Sequence, residues 1–347
     1  EAMNSDRILS DIRVIEVAAY IPGPVCTQIL ADLGATVIKV ERPGGDPMRH
    51  MGPRTADGVN PMFLAFNRDK EFVELDLKTT EGAAKLRDLA QEADILLDGF
   101  RPGVLTRLSV GAEQLQAINP RLIYCALSGY GATGPQQQTA GHDLNYVSLS
   151  GLLALTTVGG VPALPGTQIA DMVSGLTAVT AILVALYERN RSGKGSTLDI
   201  AISDSAFWLM APWLAVQRGG DAGQTAQKNM LSGALACYNL YRTADKRYLA
   251  VAALEPRFWA NFCTIIERPD LIALQYAPTA QPMIQETVAQ IIATRSLEYW
   301  TQVCAEADTC VTPVLTLEEA SRSPLYQQRR LLSEEHPGVS LPIRFVE

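Results

Sequence analysis

Along the first half of the chain, short apolar runs rich in β-branched residues alternate with longer stretches of helical period. Arg13–Ala18 (R-V-I-E-V-A) and Thr36–Glu41 (T-V-I-K-V-E) read as strands, separated by a helical stretch over Cys26–Leu33 that Gly34 ends. A Gly- and Pro-rich loop follows over Pro43–Pro61. Phe72–Leu77 then reads as a strand and Thr80–Glu92 as a helix, with further strands at Asp94–Asp98 and Leu122–Leu127. Strands spaced by helices of about 10–15 residues predict βαβ units and a mainly parallel sheet. A long helix is predicted over Met172–Asn190. It closes on Arg191-Ser192-Gly193-Lys194-Gly195, a basic last turn followed by glycine. Its uncharged part, Met172–Tyr187, has 16 residues. A bilayer needs about 20, so a buried helix is expected. Thr197–Ile202 reads as another strand.

Past residue 220 the texture changes. Strand-like runs at Cys237–Tyr241 and Tyr248–Ala253 flank the polar Arg242–Arg247, which predicts a hairpin. Helical patterns follow at Pro256–Ile266, Pro282–Ala293 and Leu297–Ala307, and Thr312–Leu315 leads into a helical Glu318–Ala320. A smaller α+β domain is expected here, and no internal repeat or low-complexity tract is visible.

Composition narrows the classes. The 347 residues carry 29 Lys plus Arg against 37 Asp plus Glu, a formal net charge of -8. Nucleic acids and anionic membranes call for a positive field, so neither is an expected partner. Three histidines, His50, His142 and His336, leave little material for a histidine-built metal centre. Six cysteines form no C-x-x-C pair and mostly sit in apolar runs, as buried thiols of a cytoplasmic protein would. No signal peptide is expected, because no basic segment precedes an apolar core at the N-terminus.

The first strand–turn–helix invites comparison with dinucleotide-binding folds. Its turn, Ala18-Ala19-Tyr20-Ile21-Pro22-Gly23-Pro24, lacks the G-x-G-x-x-G glycines that let a pyrophosphate approach the backbone. Neither a phosphate-binding G-x-x-x-x-G-K-[ST] loop nor a G-x-S-x-G elbow occurs. One stretch runs against the global charge. Lys39, Arg42, Arg49, Arg54, Arg68 and Lys70 outnumber Glu41, Asp46, Asp57 and Asp69, and Arg101 and Arg107 lie beyond. The bland reading is a mixed solvated surface. The sharper one is a cationic entry for a small polyanion, with arginine forks on phosphate.

Several stretches carry a resemblance in order. They are R-V-I-E-V-A-A-Y-I-P-G-P at the start, A-D-L-G-A-T-V-I-K-V-E-R-P-G-G-D-P (Ala31–Pro47), N-R-D-K (Asn67–Lys70) and L-D-L-K (Leu75–Lys78). F-R-P-G-V-L-T-R-L (Phe100–Leu108), S-G-Y-G-A-T-G-P (Ser128–Pro135) and R-S-G-K-G (Arg191–Gly195) follow. Together they resemble the family III CoA-transferase superfamily, which includes the α-methylacyl-CoA racemases, over nearly the whole chain. The resemblance implies an α/β fold: a Rossmann-like large domain over 1–220, a small α+β domain over 221–315 and a return of the chain to the large domain over 316–347. It also implies an interlocked homodimer acting on acyl-CoA. The CoA-contacting positions map onto Arg42, Arg68, Arg101 and Arg107, and less directly onto Lys39. Asp69 stands where the family pattern has glycine, and Glu71 where it has a basic residue.

Three segments bear on the reaction. Gly141-His142-Asp143-Leu144-Asn145-Tyr146, Asn229-Met230-Leu231-Ser232-Gly233 and Leu254-Glu255-Pro256-Arg257-Phe258 resemble racemase motifs. Asp171 aligns with an aspartate that is a base in racemases and the covalent nucleophile in transferases. The resemblance therefore implies catalysis by His142 and Asp171, assisted by Glu255, with no metal or redox cofactor. Inversion at a carbon beside a thioester needs two acid–base groups on opposite faces. It also needs donors for the enolate oxygen, expected among the N–H groups that open the Met172 helix. The alternative is CoA transfer through a covalent Asp171 intermediate, and a third reading is a non-catalytic acyl-CoA binder. Each residue also has a plain role to play: His142 as a loop histidine, Asp171 as an N-cap and Glu255 as a helix start before Pro256.

Overall fold

The computed structural model describes residues 8–220, 229–332 and 336–345. Their contacts divide into two units. The first comprises residues up to Leu152, Pro165–Met210 and Pro324 onward; the second comprises Leu153–Leu164 and Ala211–Ser323. These limits differ from the expected breaks at 220 and 316. They also assign to the second unit a short antiparallel hairpin, Thr157–Val158 with Val161–Pro162, that nothing in the apolar pattern marked.

The first unit is built on six parallel strands: β1 (Arg13–Val17), β2 (Thr36–Glu41), β3 (Glu71–Glu74), β4 (Ile95–Asp98), β5 (Ile123–Ser128) and β6 (Thr197–Ala201). Their order is β3-β2-β1-β4-β5-β6. The apolar runs of β1, β2, β4 and β5 are explained by burial on both faces, as in parallel sheets generally, while the edge strands β3 and β6 stay partly exposed. Ile95, Leu96 and Leu97 of β4 are fully buried in succession. On one face Ile15, Leu96 and Tyr124 pack against Leu86 and Ala90 of a helix over Thr80–Gln91, with Leu105 and Leu115 beside them.

Helix α1 (Pro22–Asp32) starts earlier than the expected Cys26. Ile21-Pro22-Gly23-Pro24 reads as a turn, yet Pro22 sits in the first turn of the helix, where its missing N–H costs nothing. A short helix, α2 (Asp143–Leu149), precedes the long α3 (Ile169–Ser192), which opens three residues before Met172 and ends on Gly193 in the left-handed conformation. By length and composition α3 could cross a membrane, but it packs along α1 and β5.

The strand order reverses between β1 and β4, with β2 on one side of β1 and β4 on the other. In doubly wound sheets this reversal opens a crevice at the carboxyl ends of the strands.

The second unit contains an antiparallel three-stranded sheet formed by Tyr238–Arg242, Tyr248–Ala252 and Val311–Pro313. The expected hairpin is present, with Tyr248 paired to Arg242. Helices over Pro256–Ile265, Gln281–Ile292 and Leu297–Ala305 close its core around Trp259, Phe262, Ile284 and Trp300.

Candidate active site

A crevice of about 310 Å3 lies within the first unit, at the carboxyl ends of β1, β4 and β5. Its walls are the β1–α1 turn, the Gly99–Pro102 segment after β4, Leu127–Gly129 and the Gln137–His142 approach to α2. Tyr146 and Asp171 also line it. His142 and Asp171 are thereby brought to one cavity.

His142 occupies the N-cap position of α2 with extended backbone, φ -130° and ψ 173°. Its N–H donates to Asn145 Oδ1 at 3.0 Å and its carbonyl accepts the Asn145 N–H at 2.8 Å. The backbone is thus tied down while the imidazole remains exposed, edge-on to Tyr20 with ring centroids 6.1 Å apart. Tyr20 has φ 67°, a left-handed conformation uncommon outside glycine. The glycines around this segment make room for Tyr146. A Cβ on Gly129 would lie 2.5 Å from Tyr146 Oη, and one on Gly141 would lie 2.8 Å from Tyr146 Cε1. Burial, with neighbouring Tyr130, pushes the Tyr146 phenol up to about 12.

Asp171 is the third residue of α3, not its N-cap; Gln168 takes that position. The Asp171 N–H donates to Asp143 Oδ1 at 3.1 Å, so a side chain of α2 satisfies an otherwise orphaned donor of α3. Burial first, and the Asp143 carboxylate second, push the Asp171 carboxyl up to about 7. The Met172 N–H is bonded to the Gln168 carbonyl at 3.0 Å. The helix opens at Ile169, so the Met172 N–H is an interior donor, and the N–H groups that open the helix are those of Ile169 and the residues next to it.

Glu255 lies in the second unit, directly before the Pro256 helix. Its carbonyl accepts the Trp259 N–H at 3.1 Å, while its side chain makes no capping bond. Asn229 and the Met230–Ala234 turn belong to that unit as well, Asn229 Oδ1 accepting the Leu231 N–H at 2.9 Å.

The basic residues separate. Arg101 lines the crevice and donates from Nη1 to the Gln138 carbonyl at 3.1 Å. Arg107 ends a short helix and is exposed, as is Arg42, whose Nε reaches the Gly45 carbonyl at 3.4 Å. Arg68 is half-buried, paired with Asp32 and bonded to the Ala65 carbonyl at 2.8 Å. Lys39 corrects the expectation of a phosphate contact. Its side chain is 0% exposed and its Nζ meets Glu16 Oε1 at 2.5 Å, Asp46 Oδ2 at 3.1 Å and the Ala18 carbonyl at 2.9 Å.

Lys39 belongs to a buried charge cluster beneath the crevice. Glu16 Oε2 accepts from Lys70 Nζ at 2.9 Å and from Thr27 Oγ1 at 2.5 Å. Lys70 also reaches the Pro24 carbonyl at 3.2 Å. The two ammonium groups thus hold the Ala18 carbonyl at the start of the β1–α1 turn and the Pro24 carbonyl in the first turn of α1. Burial alone would raise the Glu16 carboxyl, but Lys70 and Lys39 hold it at about 2. Burial also brings Lys70 down to about 8 against the pull of Glu16.

Two polar residues were missed in the sequence. Asp98, at the end of β4, accepts from Tyr124 Oη at 2.6 Å and from the Phe100 N–H at 2.9 Å, and burial pushes it up to about 6. Ser128, at the end of β5, lines the crevice. The position of both at strand ends beside the order reversal was the available signal.

A doubly wound sheet with a carboxyl group and an imidazole at its switch-point crevice defines an α/β enzyme. The chain belongs to CoA-transferase family III, whose family model matches residues 9–346. It is 37% identical over 316 residues to the alpha-methylacyl-CoA racemase of Mus musculus, covering 90% of this chain and 79% of that protein. It is also 33% identical to the succinyl-CoA:glutarate CoA-transferase of Homo sapiens, over 78% of this chain and 62% of that one. The crystal structure of a CAIB/BAIF family protein from Brucella suis superposes with a TM-score of 0.84 at 28% identity, covering 97% of this chain and 92% of that one. Racemases and transferases thus both stand among the relatives.

Proposed function

We propose that the protein interconverts the two configurations at the α-carbon of 2-methylacyl-CoA thioesters. The observation that carries this reading is an Asp171 carboxyl pushed up to about 7 in the same crevice as His142. A group poised near neutrality exchanges protons in both directions at physiological pH. One of the pair takes the α-proton, the electron pair moves onto the thioester oxygen as an enolate, and the other returns a proton to the opposite face. Either residue serves as the base, depending on the starting configuration. Glu255 assists, and no metal or redox cofactor takes part. Arg101 meets the phosphates of CoA at the crevice, with Arg42, Arg68 and Arg107 as the further cationic contacts. The working form is an interlocked homodimer, and exposed Leu176, Val184 and Tyr187 along α3 suit burial against a second copy. A cytoplasmic setting fits the free cysteines, of which Cys26, Cys125, Cys237, Cys263 and Cys304 are buried.

The second reading is CoA transfer, favoured by the succinyl-CoA:glutarate CoA-transferase among the relatives. In it the Asp171 carboxylate attacks the thioester carbonyl and CoA leaves as the thiolate; the thiolate then attacks the aspartyl carbonyl of the mixed anhydride, releasing the acyl group as its free carboxylate and leaving CoA as an enzyme thioester. Incubation with a single enantiomer of 2-methyldecanoyl-CoA in D2O separates the two. Racemisation incorporates solvent deuterium at the α-carbon and erodes optical purity, and both changes vanish in His142→Ala and Asp171→Asn. Absence of exchange, with CoA passing to an added free acid, overturns the racemase reading.

A further inference from the structure

Tyr20 stands in the β1–α1 turn at φ 67°, a region that glycine enters freely and a bulky side chain does not. Its neighbours hold it there. The Ala18 carbonyl, two residues earlier, accepts from the buried Lys39 Nζ at 2.9 Å. The Ile21 carbonyl, one residue later, accepts the Val25 N–H at 2.9 Å as α1 begins. The Tyr20 N–H donates to Asp46 Oδ1 at 3.4 Å, and Asp46 is itself buried and paired with Lys39. Backbone strain persists where the surroundings over-determine it, and such residues gather at functional sites. Glycine would satisfy this backbone without strain, so what the tyrosine adds here is its side chain.

That side chain does not serve the core, since Tyr20 is 40% exposed. Its ring meets the His142 imidazole, with centroids 6.1 Å apart and the planes at 81°. The bonds exchanged with Asn145 tie down the His142 backbone and do not set the rotation of the imidazole. We propose that Tyr20 is a positioning residue: its ring, presented by the strained turn, sets the orientation of the His142 imidazole. The inference rests on reading His142 as one of the two proton-transfer groups. A misdirected imidazole lowers the rate of proton transfer while leaving substrate binding almost untouched.

The test uses Tyr20→Gly, which relieves the backbone and removes the ring, and Tyr20→Phe, which keeps the ring. Three measurements are made on each: thermal midpoint, kcat and KM for α-hydrogen exchange of 2-methyldecanoyl-CoA, and the imidazole NMR signals of histidine-labelled protein. The His142 signals are assigned by their loss in His142→Gln. In Tyr20→Gly the thermal midpoint should hold or rise, because relief of the left-handed strain offsets the lost ring contact. Its kcat should fall about tenfold with KM little changed, and the His142 signals should move. Tyr20→Phe should restore kcat to within about twofold of wild type and return the His142 signals. Wild-type kcat in Tyr20→Gly overturns the proposal, as does a loss matched by a falling thermal midpoint or carried by KM. A Tyr20→Phe variant as impaired as Tyr20→Gly overturns it too, because the hydroxyl rather than the ring would then be at work. A wild-type protein without exchange overturns the racemase reading. In that case His142 signals displaced in Tyr20→Gly alone leave Tyr20 in its role, and signals unmoved in both variants remove it.

Discussion

Asp143 holds Asp171 by two opposing means: Oδ1 accepts its backbone N–H at 3.1 Å, while the same carboxylate disfavours ionisation of the Asp171 side chain. The hydrogen bond fixes the first turn of α3, and the charge helps to keep a proton on the residue that lines the crevice. Asp143→Asn keeps an acceptor oxygen and removes the charge. The expected result is an acidic shift of the limb of the kcat/KM profile that reports Asp171, by about half a unit to one unit. A profile superposable on wild type would assign the upward shift to burial alone.

Asp171 itself opposes folding when ionised. Its folded pKa, about 7, lies above the ordinary 3.8, so its favourable contribution is complete below about pH 4 and is lost as pH rises through 7. Asp171→Asn removes that pH-dependent loss. At pH 8 the variant should gain on the order of 1–2 kcal/mol over wild type, less than the nominal shift because the side chain is partly exposed. The gain should fade by pH 4. Urea titrations at the two pH values measure it, and a gain independent of pH would contradict the assignment.

The buried cluster makes the opposite prediction for Glu16. With its carboxyl at about 2 against an ordinary 4.5, its contribution is present above pH 4.5 and is lost as pH falls toward 2. Glu16→Gln leaves Lys39 and Lys70 in the interior without this counter-charge and should cost about 3–5 kcal/mol in urea unfolding at pH 7. Adding Lys70→Met to the same protein should restore part of that loss, because the uncompensated ammonium goes with it. Equal stability of the single and double variants would show that Lys70 does not depend on Glu16.

Gly175, one turn beyond Asp171 on α3, lets that helix lie against α1. A Cβ there would stand 2.8 Å from Val25 Cγ1 and 3.0 Å from the Pro22 carbonyl. Gly175→Ala should therefore push α3 outward, costing about 1–3 kcal/mol despite the better helix propensity of alanine. Asp171 moves with its helix, so kcat for α-hydrogen exchange should fall about tenfold, with KM little changed. Unaltered kcat alongside reduced stability would mean that the crevice tolerates the displacement.

Arg101→Ala tests the cationic wall. The residue is exposed in the crevice and its backbone-directed hydrogen bond is peripheral to the fold. KM for acyl-CoA should rise about tenfold with kcat preserved, the pattern of a lost ground-state contact to phosphate. Steady-state kinetics at two ionic strengths checks it, because high salt should shrink the difference.

How much of this was legible in the sequence depends on how local each cause is. The inner parallel strands β1, β2, β4 and β5 were readable because burial on both faces writes continuous apolar runs, and Gly193 marked the end of α3 through its own backbone. The start of α1 was obscured because Pro22 and Pro24 serve a helix opening and a turn equally well. Lys39 was misread as surface charge because its burial is tertiary. Yet the fourth position of R-V-I-E-V is Glu16 and that of T-V-I-K-V is Lys39, and the sheet pairs those two residues directly. Opposite charges in matching places of adjacent strands were the clue. The motif around His142 and the aspartate at Asp171 pointed to residues that share one crevice, while Glu255 falls in the other unit.

The path of the chain between its units bears on synthesis. The first unit draws on three separate stretches, the last starting at Pro324, and both stretches of the second unit, Leu153–Leu164 and Ala211–Ser323, lie between them. A ribosome emits the residues in order, so the sheet and the crevice are laid down while the closing stretch of the same unit is still to come. Most of the second unit, Ala211–Ser323, is translated inside that interval. The first unit to begin folding is the last to receive all its parts.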